Sequence, residues 1–318
     1  MRELEASKRL DPDSITDLLL PGRRSKAYVS RTTIPMTLSS VDRLATLYLF
    51  HPLRRIMPWV RRAGIPILMY HSISEEQSNG IHPYYVTSTS PEVFARHMQF
   101  LRENGYRGLT LEDAVRRLQS DDGLPSQSIV ITFDDGYEDF YTHAYPILSQ
   151  YGFQAAVFLA TGYIADTPRI FKDKPCLTWI QIRELHGAGI TFGSHTVTHP
   201  QLKSVSAESL AYELRQSKAT LEQGIGCHVN SFCYPYAFPE QDMPFQYRLK
   251  SMLQDVGYEH CLTTMLGVAS ASDDKFFLKR LPASSRDDLL FLKAKLEGGY
   301  DWLHSIQYSA KVIRAKLA

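Results

Sequence analysis

The chain has 318 residues, with 35 Lys and Arg against 34 Asp and Glu and a formal charge of +1. No global field therefore marks it for nucleic acid or for a strongly acidic partner. Hydrophobic residues at 44% and charged residues at 22% match globular averages and exclude disorder throughout. The length exceeds a usual single domain, but α/β barrels use roughly 200–250 residues around one core, so one large domain with an extension is expected.

Residues 1–60 mix charge, Ser, Thr and Pro with little periodicity, and the opening MRELEASKRLDPDS lacks the apolar region and cleavage site of a secretory signal. Cys176, Cys227, Cys233 and Cys261 show no CxxC spacing, which fits free thiols in a reducing compartment and a cytoplasmic location. Leu44 to Trp59 is the most apolar early stretch, but His51, Pro52, Arg54 and Arg55 interrupt it, and it is shorter than the ~20 residues of a spanning helix. With Arg61 and Arg62 it makes residues 44–62 a basic, aromatic segment. Two readings are open for it: a helix packed on the main domain, or a peripheral contact with an anionic bilayer surface. The domain boundary is set near residue 60, giving an N-terminal extension, 1–60, and a main domain, 61–318.

From Ile65 onward short apolar runs alternate with amphipathic stretches. Ile65–Tyr70 reads as a buried strand. Ser90 and Pro91 start a helix on which Phe94, Met98 and Leu101 share a face, and Gly105 ends it. A strand at Tyr106–Leu109, a helix from Leu111 to Leu118, a strand at Ser128–Phe133, a helix over Tyr141–Tyr151 and a strand at Ala155–Leu159 follow. Thr178 and Gln181 form a capping box for a helix through His186, before a strand at Ile190–Phe192. Leu210, Leu214 and Leu221 mark the next helix. Strands at Ser231–Tyr234 and Glu259–Thr263 bracket a helix at Gln246–Val256, and a last helix covers Asp287–Leu296. Repeated βα units imply a parallel sheet buried on both faces. Periodicity does not choose between a barrel and an open sheet.

Two elements carry chemistry. Thr132-Phe133-Asp134-Asp135-Gly136 places adjacent carboxylates at the end of an apolar strand, where α/β proteins build their sites. One can bind a hard cation while the other accepts a proton, although Asp-Asp-Gly is also an ordinary solvated turn. Ser194-His195-Thr196-Val197-Thr198-His199 places two histidines four apart after another strand, a spacing that can converge on one cation. Two His and one Asp leave a position for water, as in metal hydrolases.

These motifs, in this order and about sixty residues apart, resemble the polysaccharide deacetylases of carbohydrate esterase family 4. The resemblance covers about residues 65–285. Leu68–Ile73, Thr89–Val115, Leu177–Ile190 and Cys261–Gly267 look like the branch that acts on poly-β-1,6-N-acetylglucosamine. It implies a distorted (β/α)7 barrel and hydrolysis of an acetamide on an amino sugar, with a divalent metal, Zn2+ first among the candidates, polarising the carbonyl. By motif position Asp134 is the general base that activates the metal-bound water, and Asp135, His195 and His199 are metal ligands. The family's late Leu-x-His acid has no match after His199. In the poly-N-acetylglucosamine branch that histidine comes from the first strand, which nominates His71, itself at a strand end.

Cys233-Tyr234-Pro235-Tyr236 resembles the family's Arg-x-Pro-Tyr, so Tyr236 takes the oxyanion-binding place. Cys233 stands where many relatives carry the arginine that steadies the base, and Arg280 is the candidate to replace it, because a nearby cation would hold Asp134 ionised. The family's Asp-x-x-Ser-x-Asp-Trp segment has no counterpart, and Tyr300-Asp301-Trp302 falls too late to supply it. Trp179 and Tyr137 are assigned to no role at the site. The expected partner is an acetylated amino-sugar polymer or oligomer. A small or lipid-linked amino-sugar conjugate is the alternative substrate, and a non-catalytic carbohydrate-binding barrel the alternative of another class.

Overall fold

Ser128–Phe133, the sequence SIVITF, is buried at every position, as expected of a strand covered on both faces. In the computed structural model, which describes residues 38–56, 64–75, 87–120, 124 and 127–317, it is one of seven parallel strands. These are β1 (Ile67–Tyr70), β2 (Ser128–Phe133), β3 (Ala156–Leu159), β4 (Thr191–Ser194), β5 (Ser231–Cys233), β6 (His260–Leu266) and β7 (Leu278–Pro282). Each is hydrogen-bonded in parallel to the next. Leu281 pairs with Leu68 and Pro282 with Met69, so β7 returns to β1 and the ring closes. The sheet is the expected seven-stranded barrel.

Two strands differ from the sequence reading. Tyr106–Leu109 contributes only Arg107–Gly108, which pairs beside the start of β2 outside the ring. The seventh ring member is β7, whose sequence LKRLP lacks the apolar run of a buried parallel strand. The pattern fails there because Arg280, fully buried, is neutralised inside the barrel.

The outer helices are α1 (Pro91–Glu103), α2 (Leu111–Gln119), α3 (Tyr145–Tyr151), α4 (Trp179–Gly187), α5 (Ala207–Ile225), α6 (Met243–Val256), α7 (Leu289–Leu296) and α8 (Trp302–Leu317). Their starts follow the caps in the sequence. Ser90 Oγ accepts from Val93 N at 3.3 Å, and Thr178 and Gln181 form the reciprocal capping box. α2 has a different task from its neighbours: Leu111, Ala114, Val115 and Leu118 cluster with Ile67, Val130, Phe158, Leu262 and Leu278 from the starts and middles of the strands. It plugs the N-terminal end of the barrel, and each buried Leu or Ile there contributes about 1.5–3 kcal/mol.

Residues 38–56 form consecutive helical turns, with a wide π-type turn at Thr46–Phe50. One side packs on the domain. Phe50 stacks on Trp302 at 4.6 Å, Trp302 Nε1 donates to Thr46 Oγ1 at 3.0 Å, Tyr300 donates to Asp42 at 2.8 Å, and Arg54 pairs with Asp301 at 2.6 Å. Tyr300-Asp301-Trp302 thus anchors this helix. The remainder of 1–60, and residues 57–62 of the basic segment, lie outside the described residues. Among the described residues no helix is long and apolar enough to cross a membrane.

Candidate active site

All the residues nominated from sequence lie at or near the C-terminal ends of barrel strands. His71 follows β1, Asp134 and Asp135 follow β2, His195 follows β4, Tyr236 stands three residues beyond β5, and Arg280 lies within β7. The backbone here is unusual. Asp135, Thr196, His199 and Tyr236 adopt φ of 73°, 73°, 56° and 61°, a left-handed conformation that costs non-glycine residues about 1–2 kcal/mol each. Such strain concentrates where geometry serves function. Gly193, in β4, has no room for a side chain: a Cβ would come within 2.4 Å of the Phe158 ring and 2.5 Å of Ser231 Oγ.

The two adjacent carboxylates have separate surroundings. Both oxygens of Asp134 accept from Arg280, Nη1 to Oδ1 and Nη2 to Oδ2, each at 2.7 Å. The guanidinium is fixed further by Nε donating to Thr263 O at 2.9 Å and Nη1 to Thr132 Oγ1 at 3.3 Å. Burial alone would raise the Asp134 carboxyl, but the charge and hydrogen bonds of Arg280 outweigh it and hold the group well below the usual carboxylate range. The Cys233 thiol lies 3.5 Å from both Asp134 oxygens, and burial pushes it well above its ordinary value, so it is a neutral donor. His71 Nε2 stands 4.0 Å from Asp134 Oδ2, and burial lowers its pKa.

Asp135 faces the histidines. Its Oδ1 lies 3.3 Å from His199 Nε2 and 3.7 Å from His195 Nε2, while Oδ2 accepts from Tyr137 at 2.9 Å and from Lys172 Nζ at 3.3 Å. His195 Nδ1 donates to Cys233 O at 2.7 Å, which fixes the tautomer and leaves the Nε2 lone pair toward Asp135. Burial pushes His195 down to about 4, so the ring is neutral at pH 7.

These groups fit a divalent cation. Asp135 Oδ1 is buried and has no hydrogen-bond partner, an expensive state unless something else satisfies it. The ligand atoms of Asp135, His195 and His199 lie within 4.8 Å of one another, and the donor set of two imidazoles and one carboxylate suits a first-row ion. Asp134, His195 and Cys233 are equally close together. That second set is the poorer one, because Arg280 occupies both Asp134 oxygens and Cys233 keeps its proton.

Several contacts at the site have no signal in the sequence. The sequence assigns Tyr137 no role at the site, yet its hydroxyl donates to Asp135. Lys172 sits at the tip of the Ile170–Pro175 hairpin and carried no motif. Glu213 of α5 binds the backbone of the His195–His199 turn. Trp179 packs against α5, where a Cβ at Gly224 would meet its ring at 2.3 Å. Tyr236 is partly exposed, with its ring 4.6 Å from that of His199.

A closed parallel barrel with a paired carboxylate, an imidazole pair and a histidine at one rim carries the parts of a hydrolase, and its relatives give the class, hydrolases acting on non-peptide carbon–nitrogen bonds. The family profile described as polysaccharide deacetylase matches residues 121–259. The Bacillus subtilis (strain 168) protein YxkH, whose name assigns it provisionally to the polysaccharide deacetylases, is 31% identical over 229 residues, 71% of this chain and 75% of that protein. The chain belongs to the polysaccharide deacetylase family. It is 30% identical over 149 residues to the poly-β-1,6-N-acetyl-D-glucosamine N-deacetylase of Escherichia coli K12, a match spanning 44% of this chain and 21% of that enzyme. The solved Streptococcus pyogenes deacetylase PplD, in complex with acetate, superposes with a TM-score of 0.62 at 26% identity, over 74% of this chain and 99% of that one.

Proposed function

We propose that the protein removes N-acetyl groups from an acetylated amino sugar of the N-acetylglucosamine type, in an oligo- or polysaccharide, with Zn2+ held by Asp135, His195 and His199. The observation that carries this reading is the division of the two carboxylates: one is pinned and ionised by Arg280, and the other turns a bare oxygen toward two imidazoles. When bound, the cation supplies Lewis-acid polarisation of the acetamide carbonyl. Asp134 takes the proton of the attacking water. The guanidinium that keeps it ionised also makes it a weak holder of that proton, which leaves the proton free to pass on toward His71. At 4.0 Å one bridging water can complete that path. His71 then protonates the departing amine as the C–N bond breaks and acetate leaves. The Tyr236 N–H, on its left-handed turn, is the nominated donor to the oxyanion.

A second substrate, a lipid-linked amino sugar, is favoured by the outer face of the 38–56 helix. Val41, Leu44, Tyr48, Leu49, Leu53 and Ile56 are exposed there, Tyr48 and Ile56 at 74%. The wide turn at Thr46–Phe50 rotates less per residue than an α-helix and so brings these six side chains into one stripe. Residues 1–62 hold twelve basic and six acidic residues in a chain that is otherwise acidic. Apolar stripe and positive charge together fit an anionic bilayer surface contacted through residues 44–62. Cys176, Cys227, Cys233 and Cys261 are all unpaired, which supports a reducing, cytoplasmic side for that contact.

Acetate release tests the reading. Purified protein with added Zn2+ is expected to deacetylate β-1,6- or β-1,4-linked N-acetylglucosamine oligomers, or a lipid-linked amino sugar presented in vesicles. No acetate from any of these would contradict it. Sedimentation with vesicles containing phosphatidylglycerol is expected for the wild type and lost in Leu49→Glu/Leu53→Glu. Equal sedimentation of both, or a concentration-dependent dimer broken by the same changes, would remove the bilayer contact.

A further inference from the structure

We infer that Glu213 is a positioning residue: it acts as the built-in anion of the turn between the two histidines and thereby holds His199 in place. The inference rests on reading Asp135, His195 and His199 as a metal site. Glu213 lies on the buried side of α5 with only 6% of its surface exposed, between the core residues Leu210 and Leu214 in sequence and one turn before the buried Ser217. Its Oε2 accepts from Val197 N at 2.7 Å and Thr198 N at 3.0 Å, and its Oε1 accepts from Thr198 Oγ1 at 2.6 Å. Three donors from two consecutive residues thus converge on one carboxylate.

The same turn is strained on either side of these residues. Thr196 and His199, at φ 73° and 56°, are both left-handed, and right-handed backbone would be cheaper at each. Two small hydroxyl bonds secure the ends: Thr196 N donates to Ser194 Oγ at 3.2 Å, and His199 N to Thr196 Oγ1 at 2.9 Å. Glu213 secures the middle. Successive N–H groups in such a turn form an anion-binding concavity, and bonds to an ionised carboxylate are roughly twice as strong as neutral ones. Without that charge the bonds from the N–H groups of Val197 and Thr198 weaken to those of a neutral acceptor, and the turn is freer to relax. His199 would then leave its place 4.8 Å from the His195 ring.

The consequence belongs to metal affinity. Residues that orient metal ligands through hydrogen bonds typically contribute about 10–100-fold to affinity. In the full chain, Glu213→Gln keeps the side-chain shape and removes the charge. Zn2+ affinity, measured by competition with a chromophoric chelator, is expected to weaken about 10- to 100-fold. Leu214→Ala, which damages the core beside Glu213 while leaving the three bonds from Glu213 to the turn in place, is expected to keep wild-type Zn2+ affinity while lowering the unfolding temperature. Amide hydrogen exchange at Val197 and Thr198 in metal-free protein is expected to be at least tenfold faster in Glu213→Gln. Unchanged Zn2+ affinity in Glu213→Gln, equal weakening by Leu214→Ala, or unchanged exchange would each overturn the role. A wild-type protein that holds no Zn2+ would sink the metal reading alone, and the exchange measurement would still decide whether Glu213 clamps the turn.

Discussion

At the N-terminal end of the barrel Leu111, Ala114, Val115 and Leu118 of α2 fill the space among the strands with apolar side chains. At the C-terminal end the interior holds a buried Arg280–Asp134 pair, two further buried imidazoles and left-handed backbone at Asp135, Thr196, His199 and Tyr236. The first arrangement gains stability from area removed from water. The second spends stability, because a buried ion pair repays its desolvation only when its geometry is nearly ideal, and each strained residue adds its own cost. The difference separates the half of the barrel that keeps the chain folded from the half that keeps a carboxylate ionised out of water. Changes at the two ends should therefore have different signatures.

The largest effect is expected at Arg280. Arg280→Met leaves Asp134 buried without its cation, and unfolding in urea is expected to show a loss of about 3–5 kcal/mol, together with loss of turnover. A variant of wild-type stability would mean that the pair contributes nothing net. Leu111→Ala, at the opposite end, should cost about 2–5 kcal/mol through the cavity it opens, with acetate release per folded molecule unchanged. A fall in that specific rate would blur the division between the ends.

His260, at the start of β6, provides a pH test of the N-terminal end. It is 2% exposed, its Nε2 has no hydrogen-bond partner, and burial, helped by Lys275, pushes it down to about 4. The native state therefore binds fewer protons than the unfolded chain between about pH 6.5 and 4. Its contribution is fully present above the unfolded value and is lost as pH falls through that window, by about 3 kcal/mol in all. The stability difference between wild type and His260→Gln, followed from pH 7 to pH 4, should shrink by that amount; a constant difference would remove His260 as the cause. The smallest effect is expected at Tyr137. Tyr137→Phe deletes the hydrogen bond to Asp135 and should weaken Zn2+ about tenfold with little change in global stability, as read by chelator competition and thermal unfolding.

Much of this division is legible in the sequence. The apolar runs of β2 and β3, the caps at Ser90 and Thr178, and the Asp134–Asp135 and His195–His199 spacings are local patterns with local causes. Barrel closure was not local. β7 carries Lys279 and Arg280 where a buried strand should be apolar, and only the partner across the barrel, Asp134, makes Arg280 tolerable there. Arg280 could be nominated because Cys233 stood where a cation was wanted, but the pairing with both Asp134 oxygens depends on residues 146 positions apart. Glu213 and Lys172 gave no signal, since a single charged residue on a helix or hairpin reads as solvated surface until the fold brings it to a site.

The division of the two carboxylates is the claim on which the rest depends, and one paired measurement tests it most directly: bound Zn2+ and acetate release, side by side, for Asp134→Asn and Asp135→Asn. Asp134→Asn is expected to keep about one Zn2+ per chain while turnover falls at least about 100-fold, and Asp135→Asn is expected to lose both. An Asp134→Asn protein that releases acetate at the wild-type rate, or an Asp135→Asn protein that binds Zn2+ as tightly as wild type, would contradict it.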